Sequence, residues 1–189
     1  MIETNHLPQF SAVGMIARWQ PVHLGHLAVL ETLCQQAESV KIGIGSANVQ
    51  NVRSPFKLSE VGAMLNLVLV DYDNYQMIPL PDLNDGPRWR EMVVEKFGQL
   101  ELFFTANPYV RDLLKQVYTI RHPVEIVPAE KRIPVTGTQV RIAFAKGEPY
   151  QHLLPESVAA YLENNNLIDR FRQQYGLETL ALETIIQKE

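Results

Sequence analysis

The stretch Gly14-Met15-Ile16-Ala17-Arg18-Trp19-Gln20-Pro21-Val22-His23-Leu24-Gly25-His26 decides how the rest of the chain is read. An apolar run ends at Arg18, Pro21 turns the chain, and two histidines flank Leu24 and Gly25. Leu27, Leu30 and Leu33 then recur at helical spacing. The pattern is a strand, a tight connection and a helix. It sets two imidazoles at the positive end of the helix, a natural place for a phosphate.

Outward from this segment, short apolar runs alternate with helix-period segments. Strands are expected over 11–17, 40–45, 75–80, 100–105 and 124–127, and helices over 25–37, 58–70, 88–97 and 109–116. Such alternation with short connections predicts an α/β, Rossmann-like fold. Its core is a parallel sheet of five strands or slightly more, covered by helices on both faces. From Thr138 onward the chain reads as helical, over 139–146, 155–164, 167–175 and 177–187. Gly147, the Asn164-Asn165-Asn166 run and Gly176 serve as breaks. The 189 residues fit one domain, with a sheet part over about 10–135 and a helical part over 136–189.

A chain 46% hydrophobic and 20% charged can bury a core. No apolar run approaches the roughly 20 residues of a membrane span, so no membrane partner is expected. Residues 1–9 carry Glu3 and no basic or long apolar stretch, unlike a signal peptide. One cysteine, Cys34, allows no internal disulfide, and a cytoplasmic location is expected. The net charge of −4 argues against a nucleic-acid partner but not against a small anion, because arginines focused in a cleft set their own potential. Arg18, Arg53, Arg132 and Arg141 are the candidates.

Three motifs carry the chemistry. In His23-Leu24-Gly25-His26 the spacing puts both imidazoles on one side of a first helical turn, and Gly25 leaves the backbone open to a phosphate. Two unrelated histidines, or a zinc pair lacking a clustered third ligand, are the alternatives. Gly43-Ile44-Gly45-Ser46-Ala47-Asn48 imitates a dinucleotide fingerprint, but Asn48 replaces the third glycine and the segment ends the second strand. It suits a nucleotide lying against the backbone at Gly45 and Ser46. In Thr136-Gly137-Thr138-Gln139-Val140-Arg141, hydroxyls, amides and a guanidinium form a cradle for a polyphosphate, or simply a capped helix with a surface arginine. Asp82 and Trp89 follow the third strand and Asn107 the fourth; Trp89 can stack on a planar ring or fill the core. No P-loop pattern occurs.

Taken in order, these segments resemble the nucleotidylyltransferase superfamily with its H-x-G-H and S/T-x-T-x-x-R motifs, and most closely the archaeal-type nicotinamide-mononucleotide adenylyltransferases. Ala17 to His26 is similar to that family's GRxQPxHxGH, and Gly43 to Ala47 with Arg53-Ser54-Pro55-Phe56 to its GIGSA…NPF. Asp82, Trp89 and Asn107-Pro108 match its PD…W and NP positions, and Leu153 to Val158 resembles its LLPESV. Ala17 stands for a glycine, Val61 for an arginine, and Gly86 for a frequent asparagine that helps hold the nicotinamide amide.

The resemblance implies transfer of AMP from ATP to nicotinamide mononucleotide, giving NAD and pyrophosphate, with Mg²⁺ bound through the ATP phosphates and no protein metal site. It gives His23, His26, Arg18 and Arg141 to catalysis. It gives Gly25, Gly45, Ser46, Arg53, Thr136, Gly137 and Thr138 to ATP, and Asp82, Trp89 and Asn107 to the mononucleotide. A homo-oligomer is implied as well. Transfer to nicotinic acid mononucleotide or a flavin phosphate, and a non-catalytic nucleotide sensor, are the competing functions.

Overall fold

A computed structural model of the chain describes residues 8–186. The N-terminal residues before these, which include Glu3, and Gln187 of the expected last helix lie outside the described residues.

Side chains of a strand alternate between faces, and β1 (Phe10–Ala17) shows the consequence. Val13 and Met15 enter one core, while Ile16 enters a second on the opposite face. β4 (Leu102–Phe104) divides likewise, with Leu102 and Phe104 in the first core and Phe103 in the second. With β2 (Ala37–Gly45), β3 (Tyr75–Leu80) and β5 (Ile120–Arg121) they form a five-stranded sheet in the order β3-β2-β1-β4-β5. Every pairing is parallel, and Met15 lies opposite Ile42 and Phe104.

Helices cover both faces. α1 (Leu24–Gln36) and α2 (Leu58–Val68) pack on the first core through Leu30, Leu33 and Leu65. α5 (Gly137–Lys146), α6 (Glu156–Asn164) and α7 (Leu167–Phe171) join that core through Phe144, Leu162 and Phe171. α3 (Gly86–Phe97) and α4 (Pro108–Leu114) build the second through Trp89, Val93, Phe97, Val110 and Leu114. The chain winds outward from β1 to β3, then returns to β4 on the other side of β1. The winding therefore reverses between β1 and β4, and such a reversal opens a crevice beyond their carboxyl ends.

Several boundaries depart from the pattern. The fifth strand is Ile120–Arg121, not 124–127. Pro123 has no N–H for a ladder, and two side chains close a 3₁₀ turn over Pro123–Glu125: His122 Nδ1 accepts the Val124 N–H at 3.2 Å and Glu125 Oε1 accepts the His122 N–H at 2.9 Å. Val127 is buried without being a strand residue. β2 begins at Ala37, directly where α1 ends, and β4 is shorter than 100–105. Gly176 does not break the helix: a π turn over Arg172–Gly176 carries α7 into α8 (Leu177–Ile186) without leaving helical geometry. Among the described residues no helix is long and apolar enough to cross a membrane.

Candidate active site

The connection from β1 to α1 is held from three sides. Trp19, with φ 59° and fully buried, donates its indole N–H to the Gly43 carbonyl at 2.9 Å. Gln20 brackets the backbone of Phe56, donating to its carbonyl at 3.0 Å and accepting its N–H at 2.8 Å. The Gln20 carbonyl accepts from Arg141 Nη1 at 2.7 Å. One buried residue thus ties the histidine loop to the Arg53 loop and to α5.

His23 is the cap of α1, and its Nδ1 accepts the His26 N–H at 3.3 Å. A ring nitrogen that accepts carries no proton, so neutral His23 keeps its hydrogen on Nε2 and offers it as a donor. The two imidazoles stack with centroids 3.6 Å apart and planes 19° apart, and Trp19 lies 4.7 Å from His26. Burial, then the nearby Arg141 guanidinium, push His23 down to about 4. Burial, then His23, hold His26 well below the ordinary histidine range, with the Pro21 backbone pulling the other way. Both rings are therefore neutral at neutral pH, as hydrogen-bond donors and not cations. His26 Nδ1 is enclosed and makes no hydrogen bond of good geometry among the described residues.

The positive charge comes from arginines. Burial, then Arg18 and Arg53, lower Arg141 to about 10, so three guanidiniums crowd one place and Arg141 still carries its charge at neutral pH. Arg141 Nη2 donates to Thr138 Oγ1 at 3.2 Å. Thr136 caps α5, accepting the Gln139 N–H at 3.2 Å while Gln139 Oε1 accepts the Thr136 N–H at 2.8 Å. Gly137 opens α5, and a side chain there would meet the Gln20 carbonyl at 3.1 Å. A cavity of about 500 Å³ is lined by Arg18, Arg53, Thr138 and Arg141, and on its far side by Thr179, Leu182 and Glu183 of α8.

A second cavity, of about 530 Å³, lies at the ends of β1, β3 and β4. Asp82, Trp89 and Asn107 all line it, with Arg18, Gly45, Ser46 and Tyr109. Trp89 belongs to the second core and also lines the cavity. Asn107 Oδ1 is spent capping α4, accepting from Tyr109 N at 2.9 Å and Val110 N at 3.4 Å, which leaves its NH₂ for other partners. Arg18 borders both cavities.

Other expectations fare differently. Gly25 has a constraint within the protein: a Cβ there would sit 3.0 Å from the Ile133 carbonyl and 3.1 Å from that of Val135. Arg132 is engaged on the Val127 carbonyl at 2.9 Å and lines neither cavity. Asn48, which spoils the dinucleotide fingerprint, instead brackets Asp82, accepting its N–H at 2.7 Å and donating to its carbonyl at 3.1 Å. Gln20, Asn48, Tyr109 and the α8 residues carry no sequence signal as site residues, although Gln20 beside Pro21 lies inside the opening motif. Among the described residues no group of three or more His, Cys, Asp and Glu side chains is placed to hold a metal.

A parallel sheet with a crevice at its reversal, paired imidazoles on one helix cap and converging guanidiniums define a nucleotide-directed α/β protein. Residues 15–143 match the cytidylyltransferase-like family. Among curated relatives, the nicotinamide-nucleotide adenylyltransferase of Pyrococcus horikoshii is 34% identical over 161 residues, covering 83% of this chain and 85% of that one. Those of Pyrococcus furiosus and Thermoplasma volcanium are 33% identical (83% and 85% covered) and 32% identical (84% and 89% covered). Two crystal structures of a bifunctional NMN adenylyltransferase/ADP ribose pyrophosphatase from Francisella tularensis share the fold. One superposes with TM-score 0.71 at 18% identity; the other, complexed with AMP and a Mn ion, with TM-score 0.63 at 19%. The superpositions span 95% of this chain but only 57% and 54% of those longer chains. The chain belongs to the cytidylyltransferase-like family, within its nicotinamide-nucleotide adenylyltransferase branch.

Proposed function

We propose that this protein transfers AMP from ATP to nicotinamide mononucleotide, releasing pyrophosphate and forming NAD. The observation that carries this reading is Arg18 at the junction of a cationic cavity and a polar, aromatic-lined one. A triphosphate in the first and a mononucleotide phosphate near the second would meet there. An oxygen of the mononucleotide phosphate attacks the α-phosphorus, and the bond from that phosphorus to the bridging oxygen breaks, so that pyrophosphate departs with the electron pair.

The attacking phosphate is already ionised at neutral pH, so no base is needed, and imidazoles whose proton affinity is lowered by burial are weak bases in any case. They are better suited to donating hydrogen bonds to oxygens of the phosphate undergoing substitution, where charge builds in the transition state. Arg53, Arg141 and Thr138 would hold the departing pyrophosphate, and Trp89, Asp82 and Asn107 the acceptor. Catalysis is then alignment and charge stabilisation. A divalent ion bound to ATP, Mg²⁺ in this reading, would supply charge neutralisation at the phosphate oxygens. The donor set fits that arrangement, since the triphosphate cavity offers guanidiniums and a hydroxyl to phosphate. The reading includes a cytoplasmic homo-oligomer, whose size light scattering measures.

The test is pyrophosphate release by purified protein with ATP–Mg²⁺ and a panel of mononucleotides. Release with nicotinamide mononucleotide is expected. Release only with a non-pyridine acceptor would overturn the acceptor and keep the chemistry, while ATP binding without turnover would favour a sensor.

A further inference from the structure

Gly86 opens α3 with ordinary backbone angles, so no turn demands a glycine there. What a side chain would meet is Tyr109: a Cβ on Gly86 would lie 2.9 Å from its hydroxyl oxygen and 3.1 Å from Leu113 Cδ2. The missing side chain is thus the space in which the Tyr109 hydroxyl rests. Tyr109 is 62% exposed, a large aromatic standing at the surface. It lines the acceptor cavity, and its hydroxyl makes no hydrogen bond to another described residue. Its backbone is fixed by Asn107, whose free NH₂ belongs to the same cavity.

A planar base in this cavity has two aromatic neighbours of opposite character. Trp89 is 9% exposed and anchored in the core, an immobile wall, whereas Tyr109 is an outer wall carrying a polar tip. A phenol hydroxyl both donates and accepts, as a carboxamide does. Asp82 and Asp85 line the same cavity against one guanidinium, Arg18, so its acidic side chains outnumber its basic one and favour a ring bearing a neutral amide over one bearing a carboxylate.

On the basis of the adenylyltransferase reading, we propose that Tyr109, seated against Gly86, is a specificity-determining residue that covers the acceptor's pyridine ring and hydrogen-bonds its carboxamide.

The test is steady-state kinetics with ATP–Mg²⁺ and either nicotinamide or nicotinic acid mononucleotide, on wild type, Tyr109→Phe, Tyr109→Ala, Gly86→Ala and the Gly86→Ala/Tyr109→Ala double variant. Thermal melting verifies that each folds. Loss of one hydrogen bond in Tyr109→Phe is expected to raise KM for nicotinamide mononucleotide about fivefold, narrowing the preference over the acid, with KM for ATP within about twofold. Loss of the ring as well in Tyr109→Ala is expected to raise it about tenfold or more. Gly86→Ala is expected to act only by displacing Tyr109, so the double variant matches Tyr109→Ala. Unchanged acceptor KM in both Tyr109 variants, or multiplying effects in the double variant, would overturn the assignment alone. Wild-type protein inert with both pyridine mononucleotides would overturn the adenylyltransferase reading and this assignment with it.

Discussion

At the level of single residues, the two histidines stand beside arginines without becoming cations themselves. His23 is buried and the Nδ1 of His26 is enclosed, and a buried imidazole next to a guanidinium gains nothing by taking up a proton. Here neutrality fixes the tautomer of His23, and the hydrogen it leaves on Nε2 is a directed donor. His26→Ala is expected to lower turnover about 10²–10³-fold, the scale for losing one preorganised transition-state donor. Near-normal turnover in a folded variant would remove His26 from the chemistry. The same burial makes the fold sensitive to acid. Unfolded histidine takes up a proton below about pH 6.5, whereas folded His23 resists protonation until about pH 4. Between those values the unfolded state binds more protons. His23's contribution is full above pH 6.5 and is lost as pH falls to about 4, a change on the order of 3 kcal/mol. Urea melts at pH 7 and pH 4.5 measure it, and His23→Asn is expected to flatten the difference.

Among the elements, the site is built from helix starts. His23, Asp85, Asn107 and Thr136 each cap a helix whose first turn reaches the crevice. Of these, Thr136 was legible in the chain as a cap because capping is a local event: a short polar side chain, then a glutamine at a set spacing. Thr136→Ala removes one such cap and is expected to cost about 1 kcal/mol of stability, with a rise in KM for ATP because Thr138 and Arg141 ride on the same helix. Calorimetry and initial rates separate the two effects. The element that misled was the fifth strand. Apolar Val124, Ile126 and Val127 form a run, yet Pro123 and the side-chain-to-backbone bonds of His122 and Glu125 turn its start into a 3₁₀ segment. Side-chain bonds to backbone won over apolar pattern.

Across the molecule, a chain of net charge −4 concentrates three guanidiniums in one cavity, so the overall charge says nothing of the local field. The helical C-terminal part joins the same core as the sheet, and α8 walls the arginine-lined cavity. Arg170 of α7 clasps Glu60 of α2 through two contacts of 2.6 Å, which helps hold that part over the Arg53 loop. Arg170→Ala is expected to cost about 1–2 kcal/mol, read as a fall in Tm of roughly 3–6 °C.

The parallel α/β architecture, the caps, and the two motifs that carry histidines and arginine to one end of the sheet all follow from the order of residues along the chain. Each rests on spacing within a few residues, which the chain encodes directly. Folding alone makes Gln20 tie two loops to α5, sets Asn48 around Asp82, stands Arg18 between two cavities and brings α8 to wall one of them. It also gives the empty place at Gly86 to Tyr109. These are meetings of groups far apart along the chain, set by how the sheet reverses its winding, and no local pattern carries them.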